Sequence, residues 1–308
     1  MLNQTGEMGA STDGLSELPG GIARQQNALS SDGYIVIREV LTPDQVESLR
    51  AAVKKYFRSG GPYKYGDKFQ LHAMYEVEDV AKLLTSDTIL DRLREITYPL
   101  NVVRTGECDL MISTTSSWHN DVPHHPACLD GSIFSDESFR VYKIAFYLQD
   151  QDENSQGALK VRPRSHLKGQ APTDDMLEKS IAVRAGDAIL FDVRIEHAGQ
   201  MSTLVERGLR KLCDWIGSRL RPDAQKAFTS TRSILRWIGR TPERVAVFMT
   251  FGPSDAWTYS NVEKGRNRHP AARGTLSAEV LTRLAVHNIA PPLIGTSLLP
   301  SQIAGGEV

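Results

Sequence analysis

The chain has 308 residues, and 36 Lys and Arg residues stand against 37 Asp and Glu residues, so its formal net charge at pH 7 is −1. This balance excludes a strongly basic protein that coats nucleic acid through its phosphates. Hydrophobic residues make up 40% and charged residues 24%, which excludes disorder throughout and suits one large domain or two small ones.

The N-terminal residues 1–18 are rich in Gly, Ser and Thr without periodicity, and this predicts a mobile tail ahead of one folded domain over residues 19–308. The sequence shows no secretory signal and no apolar run of the roughly 20 residues that cross a bilayer. We therefore expect a cytoplasmic protein without membrane contact. Three cysteines without CxxC spacing argue against a disulfide framework or a zinc ribbon, and we interpret them as small buried residues: Cys108, Cys128 and Cys213.

The first predicted elements are a strand over residues 34–37 and a helix from about 43 to 57. Thr42 followed by Pro43 has the pattern of an N-cap with proline at the first helical position. A second helix is predicted over residues 86–96. Short runs rich in Val, Ile, Phe and Tyr then follow, separated by turn residues, at 101–104, 109–114, 141–149, 158–162, 188–195 and 244–251. This pattern is typical of an antiparallel double-sheet jelly roll or barrel, so the fold class is mainly β with flanking helices.

The segment from about 200 to 241 interrupts the β pattern with apolar residues at helical spacing, and it predicts a helical insertion. Residues 207–244 contain ten basic and three acidic residues. Such a balance is typical either of a solvated basic face or of a lid that attracts an anionic substrate.

The motif Trp118-His119-Asn120-Asp121 carries the most chemical information. In an extended chain alternate side chains share a face, so His119 and Asp121 can converge on one metal ion. His197 follows an apolar run in which Ile189, Phe191, Val193 and Ile195 share its parity, and it is expected at the end of that strand face. Two imidazoles and one carboxylate are the ligands of Fe(II) sites that keep open positions for a co-substrate and O₂, whereas a structural zinc site is normally closed by four protein ligands.

With these motifs the chain resembles the phytanoyl-CoA dioxygenase family of Fe(II)/2-oxoglutarate-dependent oxygenases. The resemblance covers roughly residues 30–255 and rests on several motifs that occur in the same order as in the family. They are Asp32-Gly33-Tyr34-Ile35-Val36, the 118–121 motif, residues 146–150 leading to 157–159 and 161–166, and residues 186–192 leading to His197. The resemblance implies a double-stranded β-helix (jelly roll, cupin-like) with N-terminal helices, and Fe(II), 2-oxoglutarate and O₂ as cofactor and co-substrates.

The resemblance also implies an arginine that pairs with the distal carboxylate of 2-oxoglutarate, since a guanidinium binds a carboxylate through two parallel hydrogen bonds. Arg244 is expected in this role, because it begins a strand predicted to border the one that carries His197. Arg207 lies at the usual offset of ten residues after the histidine but opens the insertion, so it and Arg210 are the fallbacks. Lys143 is interpreted either as a surface lysine or as a contact to 2-oxoglutarate or substrate.

Three further histidines are weighed as ligands and set aside. His166 is expected in a turn near the site, and His124 and His125 are expected to line the substrate entrance or to face solvent.

The sequence thus predicts an oxygenase that hydroxylates or otherwise oxidises an unactivated C–H bond of a small anionic or zwitterionic metabolite in specialised metabolite biosynthesis. Succinate and CO₂ are the expected co-products, and halogenation is disfavoured because Asp121 occupies the position that a halide would need. The expected partners are small molecules, without nucleic acid or membrane, and the sequence does not indicate an oligomeric state. Two alternatives remain open at this point: a cupin-like metal-dependent lyase or hydrolase that uses no 2-oxoglutarate, and a non-enzymatic jelly-roll binding protein.

Overall fold

The computed structural model describes residues 20–61, 63–64, 67–112, 116–122, 132–155, 157–167, 177–199, 243–268 and 275–289. The tail predicted over residues 1–18 and the insertion predicted over about 200–241 lie outside these residues. The same holds for several side chains singled out from the sequence, namely His124, His125, Arg207, Arg210, Cys128 and Cys213.

In the part of the chain that the structure describes, five helices precede most of the strands and two follow them. They are α1 (Gly20–Asp32), α2 (Pro43–Arg58), α3 (Ala73–Glu76), α4 (Glu78–Leu84), α5 (Asp87–Thr97), α6 (Ala256–Arg268) and α7 (Ala278–Val286). The start of α2 is as the sequence predicts, because Thr42 accepts a hydrogen bond from the Gln45 backbone while the Gln45 side chain accepts one from the Thr42 backbone. Within the described residues, no helix combines the length and the apolar character that crossing a bilayer requires.

Ten strands form two antiparallel sheets within the described residues. The strands are β1 (Tyr34–Ile37), β2 (Tyr63–Lys64), β3 (Asp67–Gln70), β4 (Val102–Ile112), β5 (Tyr142–Tyr147), β6 (Leu159–Val161), β7 (Lys179–Ile181), β8 (Ala188–Asp192), β9 (His197–Ala198) and β10 (Val245–Pro253). The larger sheet has the order β1-β8-β5-β10-β4-β3-β2, and the smaller one has the order β7-β6-β9. This two-sheet architecture is the jelly roll that the sequence predicts.

The central strands bury both faces, which explains why they contain nearly continuous apolar runs. On β5, Ile144 and Phe146 pack toward the helices, whereas Ala145 and Tyr147 pack toward the smaller sheet. The core between the sheets also takes side chains from β6, β7, β8 and β10. The interior of the jelly roll is therefore a separate core from the one beneath the helices.

The Gly186-Asp187 turn before β8 is held by its carboxylate. Asp187 accepts hydrogen bonds from the backbone N–H groups of Glu39 and Arg184 at 3.0 and 2.8 Å, and Arg38 pairs with it at 2.6 Å. Gly186 has a φ of +97°, and a Cβ there would meet the Leu41 carbonyl at 2.5 Å. These contacts connect the segment between β1 and α2 to the start of β8.

Two strand predictions differ from the structure. The two runs predicted at 101–104 and 109–114 are not separate strands, because residues 102–104 and 109–112 belong to one strand, β4, which passes through Gly106 at a φ of +86°. The run predicted at 188–195 ends as a strand at Asp192, because that carboxylate accepts hydrogen bonds from the backbone and the guanidinium of Arg194 and closes a turn.

Candidate metal centre

His119 and Asp121 lie in a segment that has only single-residue contacts with the sheets. His119 forms an isolated antiparallel bridge with His197, with reciprocal backbone hydrogen bonds of 3.0 and 2.9 Å. Two residues on, the backbone N–H of Asp121 donates to the Val193 carbonyl at 2.8 Å. These bonds keep the segment extended, so the alternation expected from the sequence is retained although no regular strand forms.

His197 lies on a different strand from the one that the sequence predicts. Its parity with Ile189 and Phe191 predicts that it shares their strand face. The turn after Asp192 ends that strand, and His197 begins β9 of the smaller sheet. The expectation that one continuous strand carries His197 is therefore wrong, but its ring still lies over Phe191, with 4.8 Å between the ring centroids.

The structure brings His119, Asp121 and His197 together, and one ligand atom from each lies within 4.8 Å of the other two. Nδ1 of His119 lies 2.7 Å from the Ser117 carbonyl, and Nδ1 of His197 lies 3.1 Å from the Ile195 carbonyl. The Nε2 atoms face the carboxylate of Asp121, at 3.9 Å for His119 and 3.6 Å for His197. When Nδ1 is the protonated nitrogen, as a carbonyl contact requires, Nε2 carries the free lone pair that a metal needs.

Electrostatics favour the ligating forms of these groups. Burial lowers the pKa of His197 to about 4, so its imidazole is neutral at physiological pH. Burial alone would raise the pKa of Asp121, but the nearby Lys143 ammonium holds it well below its usual value. Two imidazoles and one carboxylate are a donor set that fits a divalent metal bound with open coordination positions.

Lys143 is not the surface lysine that one reading of the sequence allowed. It is 9% exposed and points from β5 into the jelly roll, and its Nζ lies 2.9 Å from Oδ2 of Asp121. The attraction of that carboxylate outweighs burial and raises the pKa of Lys143. The side chain is therefore a cation that contacts a candidate metal ligand.

Arg244 immediately precedes β10 and is 3% exposed. Among the described strands, β10 pairs with β4 and β5, so the expectation that it borders the strand of His197 is wrong. The long side chain nevertheless reaches the segment just after His197, because a Cβ on Gly199 would lie 3.1 Å from both Nη atoms. Nη1 also donates to the Gly157 carbonyl at 3.3 Å.

Tyr147 was not singled out from the sequence, where it reads as one more apolar residue of a buried strand. Its hydroxyl is buried and has no hydrogen-bond partner among the described residues. Burial raises the pKa of Tyr147, and the neighbouring positive charge of Arg244 opposes that shift. A buried donor near a buried guanidinium is a suitable place for a carboxylate.

Arg162, also missed from the sequence, connects the residues that precede the two histidines. Its guanidinium lies 4.4 Å from the ring centroid of Trp118, and its Nη1 pairs with Glu196 at 2.8 Å. Trp118 precedes His119 and Glu196 precedes His197, so one side chain holds both neighbours. Sequence spacing could not reveal this contact, because it joins three separate segments of the chain.

His166 lies in a 3₁₀ turn, Ser165–Leu167, as its expected turn position requires. It is buried against Gly33, and its Nε2 lies 3.1 Å from the Ser30 carbonyl. It does not belong to the ligand cluster found among the described residues.

Comparison with known proteins supports the enzyme class that the sequence predicts. Residues 29–203, more than half of the chain, match the family described as phytanoyl-CoA dioxygenase (PhyH). No curated protein sequence matches the chain significantly. The family match confirms the resemblance, the enzyme class and the Fe(II) and 2-oxoglutarate dependence expected from the sequence.

Solved structures with similar folds include three proteins of low sequence identity. The α-ketoglutarate-dependent epimerase SnoN from nogalamycin biosynthesis has a TM-score of 0.52 and 14% identity, covering 77% of this chain and 84% of its own. The carbocyclase SnoK from the same biosynthesis has a TM-score of 0.50 and 16% identity, covering 78% and 86%. HygX from Streptomyces hygroscopicus, solved with nickel and 2-oxoglutarate, has a TM-score of 0.51 and 15% identity, covering 75% and 86%. These similarities confirm the jelly-roll fold.

Proposed function

Since the chain belongs to the phytanoyl-CoA dioxygenase family, we propose that it holds Fe(II) through His119, Asp121 and His197 and oxidises a small metabolite with 2-oxoglutarate and O₂. The observation that carries this proposal is the convergence of one ring nitrogen from each of two histidines and one carboxylate oxygen within 4.8 Å. Iron held in this way supplies the oxidative decarboxylation of 2-oxoglutarate to succinate and CO₂ and the oxidation of an unactivated C–H bond.

The protein's own contribution is to present these ligands already oriented. The Ser117 and Ile195 carbonyls hold the outer nitrogens of the two imidazoles, and the Val193 carbonyl holds the backbone of Asp121. Three protein ligands leave coordination positions for the keto acid and O₂. Retention of the Asp121 carboxylate leaves no ligand position for a halide, so the proposed outcome is oxidation without halogenation.

Arg244 is the proposed partner of the distal carboxylate of 2-oxoglutarate. Its guanidinium is buried beside Gly199, two residues after His197, and can offer two parallel N–H groups. The Tyr147 hydroxyl adds a further donor in the same buried region. Arg207 and Arg210 are the alternatives if Arg244 proves to be structural.

The proposed substrate class follows from the charge balance of the sequence. We propose hydroxylation of a small anionic or zwitterionic metabolite in specialised metabolite biosynthesis, on the basic balance of residues 207–244. The similar structures named above include an epimerase and a carbocyclase, so the fold is compatible with several outcomes.

The deciding experiment is an anaerobic spectrum of the protein with Fe(II), before and after 2-oxoglutarate is added. We expect a weak charge-transfer band in the visible spectrum on addition of the keto acid, because the keto acid would chelate the iron. Asp121→Ala should lose the band and the iron, whereas Asp91→Ala, which removes an exposed carboxylate of α5, should retain the iron. A wild-type protein that binds Fe(II) but gives no band would favour the metal-dependent lyase or hydrolase instead.

A further inference from the structure

A buried lysine contacts the proposed iron ligand Asp121, and the metal-binding role of the triad does not require it. Lys143 is the register partner of Phe191 on β8 and of Thr250 on β10, so it stands in the middle of the larger sheet. Its Nζ lies 2.9 Å from Oδ2 of Asp121. An ammonium that is 9% exposed is stable only when an opposite charge compensates it.

The surroundings of Lys143 are acidic on one side and lined by the proposed metal ligands on the other. Glu107 and Asp109 on β4 also attract the ammonium, and Thr250 donates to Glu107 at 3.0 Å. His197 Nε2 lies 3.6 Å from the same Asp121 oxygen that Lys143 contacts. A divalent metal held by His197 and Asp121 would therefore share this carboxylate with the ammonium at close range.

We propose that Lys143 is a positioning residue, the built-in counter-ion of Asp121, and that it weakens metal binding while strengthening binding of the dianionic 2-oxoglutarate. This inference rests on the proposed function. A unit positive charge beside the metal repels the divalent ion and attracts the co-substrate that binds next. In the metal-free protein the same charge compensates the buried carboxylate, so the ligands stay assembled.

The first test titrates Ni(II) into the metal-free protein by calorimetry without 2-oxoglutarate, and then titrates 2-oxoglutarate into the Ni(II)-loaded protein. For Lys143→Met we expect the Kd of Ni(II) to fall about tenfold and the Kd of 2-oxoglutarate to rise about tenfold, since the repulsion and the attraction are both removed. Lys143→Arg keeps the charge and should restore both values to within about threefold. Lys160→Met, which removes a half-buried lysine of β6, should change neither.

Weaker Ni(II) binding by Lys143→Met, or a Kd equal to that of the wild type, would overturn the proposal. A second measurement needs no metal and compares thermal unfolding of Lys143→Met, Asp121→Asn and the double variant. Removing one partner of a buried ion pair strands the other, so the double variant should unfold at or above the temperature of each single variant.

Additive losses of stability in the double variant would show that the two groups are not a pair, and the counter-ion role would be wrong. A wild-type protein that binds neither Ni(II) nor 2-oxoglutarate would refute the proposed function and the two affinity effects, while the unfolding comparison still decides the pairing.

Discussion

Replacing Arg244 with methionine tests the proposed co-substrate site most directly. Methionine keeps much of the apolar length of the side chain and removes the guanidinium, which is buried beside Gly199 and Gly157. We expect the Kd of 2-oxoglutarate to rise sharply while the Kd of the metal changes little, because Arg244 is not one of the three residues in the candidate ligand cluster.

The size of the effect follows from the burial of the guanidinium. Loss of one partner of a buried, hydrogen-bonded charge pair costs about 2–5 kcal/mol. This corresponds to an increase in Kd of about 30-fold to about 5,000-fold. Because Arg244 is 3% exposed, solvent screens the pair little, and we expect at least about a 100-fold increase. Lysine at the same position should recover only part of the lost affinity for 2-oxoglutarate, since an ammonium cannot form the two parallel hydrogen bonds of a guanidinium.

Calorimetry of 2-oxoglutarate binding to Ni(II)-loaded protein measures this change, and a Ni(II) titration of the same variant shows whether the metal site is intact. Arg207→Met is the matched control, because it removes the fallback arginine. A Kd for Arg244→Met within about threefold of the wild type, or a larger increase for Arg207→Met, would show that the co-substrate site is assigned to the wrong arginine.

Three further predictions concern single side chains. Arg162→Met should weaken Ni(II) binding about tenfold, because it releases the residues that precede the two histidines, whereas the exposed Arg164→Met should not. Equal effects of the two variants would contradict this role of Arg162. Thr42→Ala should lower the free energy of unfolding, measured in urea, by about 1 kcal/mol, whereas Thr42→Ser should not. An unchanged free energy of unfolding in Thr42→Ala would show that the capping box adds nothing to stability. Although burial raises the pKa of Asp187, its hydrogen bonds hold that pKa below the ordinary value, so its stabilising effect is present above about pH 4 and is lost as the pH falls. The difference in unfolding free energy between wild type and Asp187→Asn should therefore shrink in acid, and a constant difference from pH 7 to pH 3 would refute this.

The elements that the sequence predicts correctly are those with local signals. The capping box of α2 and the apolar runs of β5 and β10 are local patterns, and the motif around His119 keeps its ligands two residues apart in an extended segment. The end of β8 was missed because Asp192 closes a turn with Arg194, and a buried ion pair inside an apolar run has no periodic signature. The contacts of Lys143 and Arg162 join segments that are distant in the sequence, so only the tertiary fold could reveal them.

The backbone bridge between His119 and His197 has a consequence for how the protein folds. The two bridged residues are 78 positions apart, so the ligands meet only after a long loop has closed. Contacts of such high sequence separation form late and make folding slow. A metal ion therefore cannot nucleate the fold from a short stretch of chain, as it does in a zinc finger. A metal held by the proposed triad would bind the finished jelly roll and add to stability by mass action.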